Sequence, residues 1–241
     1  MDQTSAQPAP HLTADGSLTN VSLTQAGRAR RAIELVLLYV GLPLAIAYLV
    51  RVHHVSVLLL LQPVLLAILA FLLIDPTFRV KRELGRLPPA RLLLSILGLF
   101  VIVAAALFAF MAAFQPAQFL GLPRRSPVFW AIIMVFYPLL SAFPQELIYR
   151  TLLFHRFGVL FGNRRVLAAA INGALFGFAH IMFGSWISVV LSGLFGFVVA
   201  WRYAGSRSFW GAWFEHALYG DLVFTVGLGR YFFTGNGFSH H

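Results

Sequence analysis

Seven apolar runs punctuate the chain, near residues 32–50, 55–74, 92–114, 127–143, 166–183, 186–203 and 208–228. Each approaches the roughly 20 residues with which an α-helix crosses about 30 Å of hydrocarbon. The pattern predicts an all-α polytopic integral membrane protein of about seven transmembrane helices. The fourth run has no clean end. After Pro144 the sequence stays apolar through Leu152, Leu153 and Phe154 until Arg156, so a kinked or broken helix is expected there. The polar stretches divide the chain into three segments. Residues 1–27, rich in Ser, Thr, Ala and Pro with no Lys or Arg before Arg28, read as a disordered cytoplasmic tail. That stretch lacks the basic start and apolar core of a signal peptide. Residues 28–91 hold the leading helices and a basic loop at 75–91, and residues 92–241 form the transmembrane core.

Composition agrees: 59% of the 241 residues are hydrophobic and 11% are charged, against about a quarter charged in an ordinary soluble domain. With no cysteine, disulfides, thiolate ligands and a cysteine nucleophile are excluded. The net charge of +10 does not indicate nucleic acid, because the basic residues sit between apolar runs, where positive-inside bias and anionic lipid headgroups account for them. Thirteen Lys and Arg fall on one side of the seven spans and four on the other, with Arg150 inside an apolar stretch. This predicts a multi-pass protein of the cell membrane with its N-terminus cytoplasmic and its C-terminus outside.

Ionisable residues inside such runs carry the candidate chemistry, since a charge at the bilayer centre costs about 2.5–3.5 kcal/mol on insertion scales. Three segments hold them: Gln145-Glu146-Leu-Ile-Tyr-Arg150, Phe176-Gly-Phe-Ala-His180 and Glu215-His216-Ala-Leu-Tyr-Gly220-Asp221. At about 1.5 Å per residue, Glu146, His180 and His216 lie roughly 15, 22 and 14 Å from the nearest basic flank. One shared intramembrane site, walled by the fourth, fifth and seventh spans, is therefore allowed. Glu146 and Arg150 are four apart and can neutralise each other, Phe176 lies one turn from His180, and Gly220 leaves space beside His216. Glycines 173, 177, 184, 193 and 196 favour close helix approach. Glu215 and Asp221 point about 100° and 140° away from His216 on an ideal helix, so at most one of them shares its site. Glu34 is expected to pair with Arg30 or Arg31, and His155 to be an interfacial anchor.

A carboxylate beside an imidazole can activate water, and a second histidine can stabilise an oxyanion. Peptide-bond hydrolysis in or at the bilayer matches this set. No Gly-x-Ser-x-Gly elbow and no His-Glu-x-x-His pair occurs, which disfavours serine-hydrolase and zincin mechanisms. Other readings of the same residues are a structural Glu146–Arg150 pair, a haem held by His180 and His216, a transporter relay, and a zinc site of Glu146, His180 and His216 with an open water position. No cofactor is required by the reading preferred here.

The three segments resemble, in order, the motifs of the CAAX-processing and bacteriocin-processing intramembrane proteases: Glu-Glu-x-x-x-Arg, Phe-x-x-x-His and His-x-x-x-Asn. The resemblance covers residues 127–228. It implies that Glu146 with His180 activates water, that His216 stabilises the oxyanion and that Arg150 supports the acidic motif. The substrate would be a membrane peptide or a lipidated protein. Two positions depart from the pattern. Gln145 stands where the first glutamate is usual, and a neutral amide cannot deprotonate water. Gly220 replaces the final Asn, with Asp221 one residue later. These departures make a catalytically inactive peptide-binding or immunity protein on the same scaffold the alternative.

Overall fold

The computed structural model describes residues 24–233; most of the tail expected over 1–27 lies outside them. All described secondary structure is helical. Six helices are long and apolar enough to cross a membrane among the described residues: α1 Gln25–His53, α2 Val57–Ile74, α3 Ala90–Phe114, α4 Pro127–Phe161, α5 Arg165–Phe183 and α6 Trp186–Ser206. A further helix, α7 Phe209–Val226, occupies the seventh apolar run; Glu215, His216 and Asp221 lower its hydropathy. Helix α1 starts earlier than expected, at Gln25, because the Thr24 hydroxyl accepts from Gly27 N–H and caps it.

The second half of α4 is the centre of the fold, with every residue from Glu146 to Phe154 buried. Around it pack Tyr39 of α1, Phe176 of α5, Tyr203 of α6 and Phe209 of α7. By contrast only Ile96 and Met111 are buried in α3, and side chains such as Ile102 and Phe114 face outward, as lipid contact requires.

Of the kink or break expected in α4 after Pro144, no break occurs. The helix runs on to Phe161 and relaxes into two wider π-helical turns, Pro138–Ala142 and Leu147–Leu152. A π turn moves the hydrogen bond from i+4 to i+5 and so tolerates the missing N–H groups of Pro138 and Pro144. Neighbouring side chains meet the carbonyls of these turns. Trp213 Nε1–H donates to Pro138 at 2.7 Å, Gln62 Nε2–H to Leu140 at 3.0 Å and Tyr39 O–H to Ile148 at 2.7 Å, while Asn172 donates to Tyr149. The irregular backbone is thus held by α7, α2, α1 and α5, as a lipid-exposed one could not be.

Helices α5 and α6 pack backbone to backbone at the glycines. A methyl on Gly177 would stand 2.6 Å from the Val189 carbonyl oxygen, and one on Gly196 2.9 Å from Phe176 Cβ. Gly177→Ala is expected to cost about 1–3 kcal/mol through this overlap, read as a lowered unfolding midpoint in detergent; an unchanged midpoint would mean that the helices separate freely.

His155, expected as an interfacial anchor, packs within the protein. Its ring is buried and fastens the connector after α2, lying 3.4 Å from Asp75, 3.7 Å from Glu83 and 3.2 Å from the Thr77 hydroxyl. Burial pushes the Asp75 and Glu83 carboxyls up. Hydrogen bonds from Thr77 to Asp75, and His155 with Arg82 beside Glu83, outweigh this and hold both below the ordinary carboxylate range. Depressed folded-state values contribute stability that is present above the unfolded values and lost as pH falls through the folded ones. Protease nicking between residues 75 and 89 should therefore rise on acidification below the ordinary carboxylate range, and a flat pH profile would contradict this. Glu34 pairs with Arg30 as expected, at 3.1 Å, and also with Arg156 of α4 at 2.8 Å.

Candidate active site

Glu146 occupies the α-helical turn between the two π segments of α4 and has no exposed surface. Its Oε2 lies 3.2 Å from Arg150 Nε, and its Oε1 accepts from His216 Nδ1 at 2.8 Å. Arg150, also wholly buried, lays its guanidinium 4.9 Å from the centre of the Phe176 ring. The charge therefore meets an anion on one side and a π-face on the other. Glu146 thus meets His216, where the sequence reading had joined it to His180.

His180 sits where α5 tightens into a 3₁₀ turn that ends at Gly184 (φ +68°). Its own backbone N–H bonds to the Gly177 and Phe178 carbonyls, which releases the Phe176 carbonyl from the i−4 ladder. The His180 ring fills that vacancy, with Nδ1 at 2.8 Å from Phe176 O. A carbonyl can only accept, so Nδ1 carries the proton and Nε2 keeps its lone pair. By the same logic His216 Nδ1–H donates to the Glu146 carboxylate, and its Nε2 accepts from the Tyr137 hydroxyl at 3.0 Å. Phe176 touches both imidazoles, 4.8 Å from His180 and 5.5 Å from His216 between ring centres.

Both histidines line one cavity of about 600 Å³. Its walls are mostly apolar and come from α3 and α6 as well as α4, α5 and α7. Gln145, Ser141, Tyr137 and Glu215 add polar groups. Gln145 Nε2 donates to Ser141 Oγ at 2.9 Å, leaving its amide oxygen as an acceptor. Glu215 is paired with Arg202, which also reaches the Ser95 carbonyl at 2.9 Å. Asp221 does not line the cavity, and its Oδ1 is buried without a hydrogen-bond partner. Of the two acidic neighbours of His216, the one that reaches the cavity is Glu215.

The three candidate zinc donors do not converge. Among the described residues no group of three or more His, Cys, Asp or Glu side chains is arranged to hold a metal ion. Oε1 of Glu146 and Nδ1 of His216 face each other, and Nδ1 of His180 is engaged by a carbonyl.

Sequence reasoning missed Tyr137. A signal was available: Tyr137, Ser141 and Gln145 recur every four residues and form a polar stripe on the otherwise apolar first half of α4. Gly220 does leave space, as expected, but the space is filled. A Cβ there would overlap the Tyr137 ring, so glycine admits the tyrosine that bonds to His216.

Residues 126–220 match the model of the Rce1-like family, described as type II CAAX prenyl endopeptidases. This stretch is less than half of the chain, yet it holds all three motifs. The match is consistent with the intramembrane protease resemblance carried by those motifs, and it supports protease chemistry at the level of the family. No curated protein and no solved structure matches the chain.

Proposed function

We propose that this protein is an intramembrane endopeptidase that hydrolyses a peptide bond in a membrane-associated or lipid-anchored substrate. The observation that carries the reading is the pair His180 and His216: both line one cavity inside a helical membrane protein, and each has its Nδ1 held by a fixed acceptor. His180 Nε2 takes a proton from water and returns it to the leaving amine. Gln145 offers its amide oxygen to orient that water and takes no proton. Glu146 has no surface on the cavity and acts through His216, fixing the ring on the side where the oxyanion forms. Arg150, 3.2 Å from Oε2, holds the Glu146 carboxyl group in place. The apolar walls suit an extended peptide entering from the lipid phase, and the positive-inside bias of thirteen basic residues against four orients the N-terminus to the cytoplasm.

A second reading, a peptide-binding protein without catalysis, is favoured by one observation: the cavity wall carries Gln145, where the resembling family has a carboxylate. Incubating the detergent-purified protein with a fluorogenic membrane-peptide library separates the two. Discrete products identified by mass, at a rate proportional to enzyme, are expected. Tight binding of a peptide that is never cut would replace protease with binding protein.

A further inference from the structure

We infer that Tyr137 is a catalytic residue whose phenolic O–H donates the hydrogen bond that stabilises the tetrahedral oxyanion; this rests on the protease reading above. Both nitrogens of His216 are occupied, Nδ1 by Glu146 at 2.8 Å and Nε2 by the Tyr137 hydroxyl at 3.0 Å. The imidazole therefore has no N–H left for a substrate, and the outermost member of the Glu146–His216–Tyr137 chain is the hydroxyl. Tyr137 lines the same cavity as His180. Gln145 and Arg150 are committed or displaced as donors, which leaves the Tyr219 hydroxyl as the other candidate on this wall. Gln145 Nε2–H is tied to Ser141, and Arg150 is wholly buried under Phe176.

The chemistry balances without a co-reactant. Water oxygen attacks the scissile carbonyl carbon and its proton goes to His180 Nε2, while the carbonyl π electrons move to oxygen. The Tyr137 hydroxyl turns about its Cζ–Oη bond, away from His216 Nε2 and toward this oxyanion. A charged acceptor makes the stronger bond, so the phenol keeps its proton and donates a hydrogen bond. Collapse re-forms the C=O bond and breaks C–N, and the amine nitrogen takes the proton from His180. Tyr137 then turns back onto His216. Gly220 is part of the device, because any side chain there would displace the ring.

The test is steady-state cleavage of a peptide from the library by wild type, Tyr137→Phe and Tyr219→Phe. Tyr219, whose hydroxyl is buried without a partner beside the same cavity, is the rival donor. Tyr137→Phe keeps the ring against Gly220 and should retain the unfolding midpoint. Its kcat should fall about 10²–10³-fold, the loss typical of one oxyanion donor, with KM nearly unchanged. Tyr219→Phe should stay within a few-fold of wild type. A second pair of variants guards against misfolding. Gly220→Asn in a Tyr137→Ala background sets an amide N–H in the vacated space and should recover activity over Tyr137→Ala alone. Wild-type cleavage with an equally active Tyr137→Phe would overturn this inference and leave the protease reading standing, as would loss in Tyr219→Phe alone. A wild type that cuts no peptide would remove both.

Discussion

His180→Ala should lower kcat for peptide cleavage by about 10²–10⁴-fold, the range supplied by a positioned general base, while KM and the unfolding midpoint stay close to wild type. The reason is local. The ring lies over the end of α5 with Nδ1–H on the Phe176 carbonyl, and Nε2 has no hydrogen-bond donor among the described residues. It contacts Phe176, Phe183 and Phe232 at its edges but holds no helix in place. Removing it deletes the proton acceptor and opens room in a cavity that already exists. Cleavage surviving above a tenth of wild type would move the proton acceptor elsewhere and return Glu146 to that role.

Arg150→Met should have the largest effect on stability. It leaves the Glu146 carboxylate fully buried with His216 as its one remaining partner among the described residues, and breaking a buried pair from one side costs about 3–5 kcal/mol. Methionine is apolar and similar in length, so the loss is electrostatic rather than a cavity effect. The converse change, Glu146→Gln, strands the guanidinium. Joining the two as Glu146→Gln/Arg150→Met removes both charges and should recover most of the lost midpoint, because a neutral pair needs no compensation. Cleavage should remain impaired in the double variant, since an amide no longer fixes the proton on His216 Nδ1. A double variant as unstable as Arg150→Met would show that the guanidinium contributes through packing on Phe176 instead of charge.

Much of this was legible in the chain. Helices α2, α3 and α6 lie where uninterrupted apolar runs lie, because within a bilayer only a helix satisfies its own backbone. The i,i+4 pairing of Glu146 with Arg150 and the contact of Phe176 with His180 follow from helical geometry alone. What periodicity could not show was α4. Its prolines predict a kink or a break, yet Tyr39, Gln62, Asn172 and Trp213 supply donors to the irregular carbonyls, and a π turn is cheaper than a break only when such partners are present. The fate of Glu146 was hidden for a related reason. Its imidazole partner lies 70 positions away on α7, and depth along a span does not say which of two histidines at similar depth faces the carboxylate.

The sequence by itself determined the class of molecule, the approximate spans and the set of ionisable residues at matching depth, because hydropathy and local spacing act over one or two helical turns. Tertiary structure alone decided the partners: Glu146 with His216, His155 with Asp75 and Glu83, and Tyr137 in the space left by Gly220. Those contacts join residues 70 to more than 80 positions apart or depend on which helix faces which. That choice is made by packing glycine-lined backbones and burying charges together, forces that do not appear in the order of residues along the chain.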